Sequence, residues 1–212
     1  MTWLIVPLAY LLGAVSFAWF AGKLKDIDLR QHGSGNLGAT NAGRLLGTRW
    51  FVFVFAGDVL KGLFPVLAAQ LLPCPPEQRP WLLLTTGAAA ITGHILTCFH
   101  GFKGGKAVAT SLGVLAALVW PVAASALGVF VVVWLCGWKL GGLGKAGAVG
   151  ISSVSAAIAT PITRILIGPE PWSSPQLPIT VFLILLAVVV VAKHRSNLQK
   201  LFTRPVSQPT QS

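Results

Sequence analysis

The sequence predicts an all-α integral membrane protein with seven transmembrane helices, some of them short. Of its 212 residues, 54% are hydrophobic and only 10% are charged, whereas about a quarter of the residues of a soluble domain are charged. The apolar residues also form runs long enough to cross a bilayer, separated by short polar or proline-rich segments. Little chain is left for a soluble domain, so we expect one polytopic membrane domain over residues 1–204. Residues 205–212 are expected to form a polar, flexible tail.

The apolar runs define the expected spans. The loop at residues 73–80 is rich in proline and cannot be helical throughout, and residues 168–178 also contain several prolines. The run at 107–138 is too long for one untilted helix and contains Trp120-Pro121, so it divides into two short helices. The seven expected spans are 2–21, 50–72, 81–99, two within 107–138, 146–167 and 179–192.

The basic residues predict the orientation of these spans. Sixteen Lys and Arg against five Asp and Glu give a formal net charge of +11. In a soluble protein such a charge would indicate nucleic acid, but here the bases lie between apolar spans, so we expect no nucleic-acid partner. The positive-inside rule places the N-terminus outside and the C-terminus inside, and brings every motif-bearing loop to the cytoplasmic face. The bases on that face are Lys23, Lys25, Arg30, Arg44, Arg49, Lys103, Lys106, Lys139, Lys145, Lys193, Arg195, Lys200 and Arg204.

The loop between the first two spans, residues 26–49, concentrates polar chemistry. Residues 33–38 match the dinucleotide pattern G-x-G-x-x-G, but a membrane helix precedes them and the acid at a suitable distance, Asp58, lies inside the next span. Glycine N–H groups beside hydroxyl and amide side chains can bind an anion, and Arg44 adds a fork-shaped cation suited to phosphate. The loop therefore predicts phosphate binding, the alternative being a surface turn with a helix cap. Its candidate ligands are Gly33, Ser34, Gly35, Asn36, Gly38, Thr40, Asn41 and Arg44.

A second motif, Lys103-Gly104-Gly105-Lys106, precedes the fourth apolar run. It suggests a phosphate cradle at the N-terminus of the following helix, where N–H groups and the helix dipole attract anions. A nucleotide-binding Walker loop is excluded, because it would need glycine at His100 and Ser or Thr at Ala107. The alternative is a pair of lysines that merely flank a helix on the cytoplasmic side.

Ionisable residues inside or at the ends of spans are costly in hydrocarbon and normally pair or line a polar cavity. Asp58 and Lys61 lie three residues apart on one helical face and are expected to form a structural or catalytic pair. His94 either faces the site or bonds a backbone carbonyl. His194 and Asn197 share a face at the end of the last span, where the alternative is a snorkelling basic flank.

The remaining signals are weaker. Ser152, Ser153 and Ser155 could present hydroxyls to an anion, but small residues in a span more often form helix-packing contacts. The cysteines lack metal-ligand spacing, and we expect no metal site. No G-x-S-x-G nucleophile elbow and no H-x-x-x-x-D acyltransferase pair is present. An enzyme with so few carboxylates would work by positioning its substrates and by stabilising an anionic transition state.

Together these motifs resemble the bacterial acyl-phosphate:glycerol-3-phosphate acyltransferases called PlsY. The resemblance rests on residues 33–44, 58–62, 93–110 and 194–197, and covers essentially the whole chain. It implies an inner-membrane enzyme with its active site towards the cytoplasm. The implied reaction transfers a fatty acyl group from acyl phosphate to the 1-hydroxyl of glycerol 3-phosphate, giving lysophosphatidic acid and phosphate. The resemblance also implies no cofactor, no covalent acyl-enzyme, and a substrate phosphate that helps to take up the hydroxyl proton.

By motif position, the resemblance assigns the site residues and the partners. The partners are the two substrates, the lipid bilayer and a soluble enzyme that produces acyl phosphate. The residues implied in catalysis are Ser34, Lys103, His194 and Asn197. The implied ligands of glycerol 3-phosphate are these four with Arg44 and Ser152. The implied ligands of acyl phosphate are Gly33, Gly35, Asn36, Gly38, Asn41, His94, Gly104, Gly105 and Lys106.

Two departures from the family pattern and two other interpretations remain. Val149 stands where the third motif usually carries a base, so either Lys145 replaces that base or this loop contributes less to phosphate binding. Ala107 stands where glycine is usual. A transporter or flippase for a phosphorylated metabolite or lipid is the non-enzymatic alternative, and an enzyme that uses acyl-CoA is a lesser one.

Overall fold

A computed structural model describes residues 1–202, apart from the side chains of residues 145, 146 and 200–202. The described part contains helices and no strands, as the sequence predicts. The tail expected over residues 205–212 lies outside the described residues. The α-helices are α1 (Ile5–Ala14), α2 (Phe17–Lys23), α3 (Ala39–Leu46), α4 (Thr48–Leu71), α5 (Arg79–Ile95), α6 (Val108–Leu118), α7 (Trp120–Lys139), α8 (Gly144–Ile167), α9 (Leu177–Lys193) and α10 (Arg195–Phe202).

Seven apolar helical segments occur in the part of the chain that the structure describes. Five of them are long and apolar enough to cross a membrane, and two, α6 and α9, are shorter. The expected break before Pro121 is present, because α6 ends at Leu118 and the proline occupies the first turn of α7. The crossing of all seven segments and the orientation with the N-terminus outside stay predictions. The five long segments are Thr2–Lys23, Thr48–Leu71, Arg79–His100, Trp120–Lys139 and Gly147–Ile167.

The first apolar segment is broken where the sequence analysis expects a continuous span. Val15 and Ser16 are extended, and the Ser16 hydroxyl caps the start of α2. The break leaves the carbonyl groups of Ala14 and Val15 without helical partners, which is costly away from water. The hydroxyl of Thr97 donates to the Ala14 oxygen at 2.7 Å, and the ammonium group of Lys61 donates to the Val15 oxygen at 2.7 Å.

Glycines allow two pairs of helices to pack with their backbones close together. Where α1 crosses α5, a Cβ atom on Gly13 or Gly93 would overlap the backbone of the opposing helix. The same holds where α4 crosses α6, at Gly62 on one helix and Gly113 on the other. Helix pairs in membranes associate through such small residues because lipid offers no hydrophobic driving force between helices.

A small cluster of buried side chains fixes the first polar loop to the end of the bundle. It joins α2, the loop and α3 to the first half of α4, and it is separate from the larger apolar cluster around α5, α6 and α9. Burial of these residues holds the loop against the helices although the loop has little regular structure of its own. The buried members are Ala18, Ala21, Leu29, Leu37, Ala42 and Val54.

Two bases at the opposite end of the bundle have structural partners. The guanidinium group of Arg79 donates to the carbonyl oxygens of Gln70 and Leu72, at 2.7 and 3.2 Å, and so caps the end of α4. Arg164 is buried and donates to the side-chain oxygen of Gln176 at 2.7 Å. These contacts tie the loops at that end to the helices.

Candidate active site

Asn41 organises the first motif. Its side-chain oxygen accepts a hydrogen bond from the backbone N–H of Ser34 at 2.9 Å. Its amide nitrogen donates to the carbonyl oxygens of Leu29 and His32, at 3.0 and 3.1 Å. Gly33 adopts a positive φ of 64°, and a Cβ atom there would overlap the Asn41 oxygen. Asn41 is buried and occupied within the loop, so it shapes the motif, while direct binding of acyl phosphate by this residue stays a prediction.

The other polar groups of the first motif lie at the surface. Ser34 and Arg44 are exposed, the latter in the last turn of α3. Gly38 is the N-cap of α3, so the first N–H groups of this helix have no helical partner. Gly35 has a positive φ of 69°, which favours glycine. The loop and α3 therefore carry an exposed hydroxyl residue, an exposed guanidinium residue and a helix N-terminus.

Two glycines of the second motif pack against the end of α5. The N–H of Gly104 donates to the Ile95 oxygen at 3.1 Å, and the N–H of Gly105 donates to the His94 oxygen at 3.0 Å. A Cβ atom on either glycine would overlap the end of α5. The N–H groups of Gly104 and Gly105 are therefore already bonded to α5. Phosphate binding by this loop, which stays a prediction, would use the lysines and the N–H groups at the start of α6.

The backbone conformation at Ala107 explains why glycine is usual at this position of the family pattern. It is the N-cap of α6 and has a left-handed conformation, with φ 60° and ψ 13°. This conformation costs an L-residue about 1–2 kcal/mol, a cost that glycine avoids. The position therefore favours glycine, and this chain places a buried alanine there.

The motifs meet at two contacts. A Cβ atom on Gly105 would lie 2.9 Å from the Leu37 oxygen, so the backbones of the first and second loops adjoin. The ammonium group of Lys106 donates to the Asn197 side-chain oxygen at 2.5 Å. Asn197 lies against Gly150 of α8, where a Cβ atom would be 2.7 Å from its amide nitrogen. The fold thus brings residues from three separate motifs to one end of the bundle.

His194, at the end of α9, is oriented by the backbone. Its Nδ1 atom lies 2.8 Å from the Val190 oxygen, and because a carbonyl oxygen only accepts, Nδ1 carries the proton. Burial lowers the pKa of His194 below its usual value, and the nearby Lys106 lowers the pKa further. Both effects favour the neutral form of the imidazole.

Asp58 and Lys61 form a direct ion pair inside the bundle. The carboxylate and the ammonium group are 2.8 Å apart and almost fully buried. The Nδ1 atom of His94 lies 3.5 Å from the same carboxylate oxygen. This cluster lies behind the second motif, since the backbone of His94 accepts the hydrogen bond from Gly105.

Two of the three serines of the third motif are buried, and Ser155 is half-buried. Ser152 is fully buried and donates its O–H to the Ala148 oxygen at 2.8 Å, and Ser153 donates to the Val149 oxygen at 2.8 Å. As placed, Ser152 has no proton left to donate to a phosphate, and its role in binding glycerol 3-phosphate stays a prediction. The side chain of Lys145, the possible replacement for the missing base, lies outside the described residues.

The charges around the motifs favour an anion. Asp28 is bridged to Arg30 at 2.8 Å, and the hydrogen bonds from Arg30 lower the pKa of Asp28 to about 2. Among residues 1–202, neither Arg44 nor Lys103 has a carboxylate within ion-pair distance, and both are exposed. A surface with unneutralised bases attracts anionic ligands.

Sequence reasoning missed several positioning groups. Thr97 and the Val15 carbonyl make their contacts at the break in the first apolar segment. The one sequence feature that marks this break is Ser16, a polar residue within an apolar run. Asn41 lies in the first turn of α3, where an Asn side chain often bonds to the backbone of the preceding loop. This position is the sequence feature that indicates its structural role.

Known proteins match this sequence over nearly its whole length. The glycerol-3-phosphate acyltransferase family model matches residues 3–204. Glycerol-3-phosphate acyltransferases of Pseudomonas putida and Pseudomonas entomophila are 40% and 38% identical over 205 residues, which cover 95% of this chain and 96% of each relative. The protein of the same description from Halalkalibacterium halodurans is 38% identical over 202 residues, covering 95% of this chain and 92% of the relative.

Solved structures agree with the sequence relatives. The crystal structure of PlsY, an integral membrane glycerol 3-phosphate acyltransferase, in its glycerol 3-phosphate form superposes with a TM-score of 0.79 and 35% identity. Its lysophosphatidic acid form superposes with a TM-score of 0.77 and 33% identity. Each match covers 95% of this chain and 92% of that chain. The chain belongs to the PlsY family of integral membrane glycerol-3-phosphate acyltransferases.

Proposed function

We propose that this protein transfers a fatty acyl group from acyl phosphate to the 1-hydroxyl of sn-glycerol 3-phosphate. The products are 1-acyl-glycerol 3-phosphate (lysophosphatidic acid) and phosphate, and the reaction is the first acylation step of phospholipid synthesis. The observation that carries the proposal is the convergence of two phosphate-suited loops at Leu37 and Gly105, beside the contact of Lys106 with Asn197. Both proposed substrates carry a phosphate, so one cation-rich site between the loops can bind them side by side.

The arrangement suits the binding of the two substrate phosphates by separate groups of residues. Ser34, Arg44 and Lys103 are exposed donors that suit the phosphate of glycerol 3-phosphate. Lys106 and the N-terminus of α6 suit the phosphate of the acyl donor, beside Asn197. Two substrates held in this way react as if in one molecule, which can supply about 7–11 kcal/mol of the barrier.

The chemistry needs little help from a protein base. The hydroxyl oxygen attacks the acyl carbon, the bond from that carbon to the phosphate oxygen breaks, and the leaving phosphate takes the electron pair. Cations around the phosphate stabilise the charge that develops on it. The hydroxyl proton passes to a phosphate oxygen of the substrates, which suits a site where, among residues 1–202, no carboxylate lies within ion-pair distance of Lys103 or Arg44.

The membrane setting follows from the same proposal. With the motifs on the cytoplasmic face of the bacterial inner membrane, glycerol 3-phosphate reaches the site from the cytoplasm. The acyl chain of the donor lies in the bilayer, and the donor is supplied by a soluble enzyme that makes acyl phosphate. The exposed apolar side chains of the helices provide the lipid-facing surface that this arrangement needs.

The test is an assay of the purified protein with acyl phosphate, acyl-CoA or acyl carrier protein as donor. We expect equimolar lysophosphatidic acid and phosphate from acyl phosphate and glycerol 3-phosphate together, and neither product when one substrate is omitted. Turnover with the thioester donors alone would overturn the donor assignment. Movement of glycerol 3-phosphate into vesicles without any donor would instead favour a transporter.

A further inference from the structure

A buried ionic cluster lies behind the second motif and is not explained by helix packing. It consists of Asp58, Lys61 and His94, with relative exposures of 3%, 3% and 6%. Removing charges from water is costly, and a buried ion pair is often no more stable than apolar residues of the same volume. The presence of these charges between α4 and α5 therefore calls for a role besides stability.

The cluster connects the break in the first segment to the second motif. At one end, Lys61 donates to the Val15 oxygen and also pairs with Asp58 at 2.8 Å. At the other end, the ring of His94 lies between Asp58 and Gly105. Its Nδ1 atom faces the carboxylate, while a Cβ atom on Gly105 would overlap its Nε2 atom.

The carboxylate of Asp58 faces the buried Nδ1 atom of the His94 ring. Within the described residues, Nδ1 of His94 has no hydrogen-bond partner, and the carboxylate oxygen at 3.5 Å is the charged group that faces it. The backbone of the same histidine accepts the hydrogen bond from the N–H of Gly105. The ring and the backbone of His94 therefore both support the short stretch that carries Lys103 and Lys106.

We propose that Asp58, held by Lys61, orients His94 so that the histidine fixes residues 104–106 for binding of the acyl donor. In this proposal Asp58, Lys61 and His94 are positioning residues for Lys106. The inference rests on the proposed function, because it assigns the supported loop to acyl phosphate. It concerns the donor end because Gly105, next to Lys106, is the point of contact with the ring. A displacement of about 1 Å at a reacting group can cost about a hundredfold in rate.

The test removes the charges while keeping the volume, in the double variant Asp58→Asn/Lys61→Met. We expect this protein to fold, because removal of the buried charges offsets the loss of the Lys61 hydrogen bond to the Val15 oxygen. We also expect the KM for acyl phosphate to rise at least about tenfold, with the KM for glycerol 3-phosphate changed less than about threefold. Hydrogen exchange at the amides of Gly104 and Gly105 should accelerate, because their acceptors on α5 are no longer held in place.

A matched control removes a neutral polar contact elsewhere in the membrane. The hydroxyls of Ser125 and Thr163 are 2.8 Å apart, between α7 and α8. We expect Ser125→Ala to leave the KM for acyl phosphate and the exchange of the Gly104 and Gly105 amides unchanged. If this variant altered both quantities as much as the double variant does, the effect would not be specific to the cluster and the proposal would be wrong.

The outcomes separate this inference from the proposed function. Exchange at residues 104 and 105 needs no acyl donor, so it tests the positioning role even if the wild-type protein does not use acyl phosphate. A folded double variant with wild-type exchange and a wild-type KM for acyl phosphate would overturn the inference alone. If the double variant fails to fold, His94→Gln replaces it, with the same accelerated exchange expected and unchanged exchange counting against the proposal.

Discussion

At the scale of single residues, the site depends on two exposed donors whose surroundings leave them available. Ser34 is held by its backbone N–H, which donates to Asn41, and the residue is exposed. Lys103 is exposed and has no carboxylate within ion-pair distance among residues 1–202. Both can therefore meet a phosphate without first breaking an internal bond.

The first prediction concerns these two donors. We expect Ser34→Ala or Lys103→Ala to lower kcat/KM for glycerol 3-phosphate at least about tenfold, a loss of about 1.4 kcal/mol of transition-state stabilisation. Steady-state kinetics of purified variants measures the effect. Ser174→Ala and Lys139→Ala remove the same groups from exposed positions away from the motifs and should have wild-type kinetics. Wild-type activity in both site variants would show that the phosphate lies elsewhere.

The second prediction concerns the glycines of the second motif. Gly104→Ala and Gly105→Ala place a methyl group against the end of α5, so the loop must move and its lysines with it. We expect activity to fall at least about a hundredfold, as for a misplaced reacting group. Gly128→Ala, where a Cβ atom meets nothing within 4 Å, is the control and should retain wild-type activity. Full activity in Gly105→Ala would mean that the packing of this loop on α5 is not needed.

At the scale of elements, the bundle relies on helices that touch backbone to backbone. The crossing of α4 with α6 is reciprocal, because each helix contributes a glycine that faces the backbone of the other. It also places the start of α6, which follows the second motif, beside the Asp58–Lys61 pair on α4. Close helix packing and site geometry are thus coupled at this crossing.

The third prediction tests that crossing. A methyl group at Gly62 or Gly113 would overlap the opposing backbone, so Gly62→Ala and Gly113→Ala should force the helices apart. Overpacking of this kind typically costs about 1–3 kcal/mol, and we expect a lower Tm in detergent for both variants. Gly128→Ala, on the open face of α7, should leave the Tm unchanged or slightly higher. A wild-type Tm for Gly113→Ala would contradict the close approach described here.

Much of the element structure follows from the sequence, and the differences have physical causes. Hydropathy and proline positions predicted the apolar segments and the break before Pro121, because these depend on local composition. The break at Val15 was not predicted, since one serine barely alters an apolar run and the break is stabilised by Lys61 and Thr97 from other helices. The packing of Gly104 and Gly105 on α5 was not predicted for the same reason, because the acceptors of their N–H groups lie on another helix.

The site was predicted as a set of motifs, and its internal organisation was not. Residue types and spacing indicated that residues 33–44 and 103–106 suit phosphate, and the fold brings the two loops into contact. Which side chains face a ligand and which support the loop depends on tertiary contacts. Asn41 and Ser152 illustrate this, since each was a candidate ligand and each has its hydrogen-bond donors occupied by backbone carbonyls.

At the scale of the whole molecule, the distribution of basic residues and the position of the motifs predict the same orientation in the membrane. The motifs lie at the same end of the bundle as most of the bases, whereas Arg79 and Arg164 serve the loops at the other end. An enzyme that draws a soluble anion from the cytoplasm needs its bases on that side, and the positive-inside rule sets the same orientation.

The fourth prediction tests this orientation. In a variant with the native cysteines replaced by serine, Ser174→Cys lies in the loop before α9 and Thr48→Cys at the start of α4, both at exposed positions. We expect a membrane-impermeant maleimide to label residue 174 in intact spheroplasts and residue 48 only after the membrane is opened. The reverse pattern would place the motifs on the outer face and would contradict the proposed topology.

The hydrogen bonds from residues 104 and 105 to the last turn of α5 have a consequence for the lipid environment. They fix the second motif to the end of α5, so the position of this helix sets the height of the motif's lysines above the bilayer centre. The phosphate of a membrane-embedded donor takes its height from the thickness of the lipid leaflet instead. Matching of the two heights then depends on bilayer thickness, and a change in lipid chain length shifts the donor relative to the site without altering any residue.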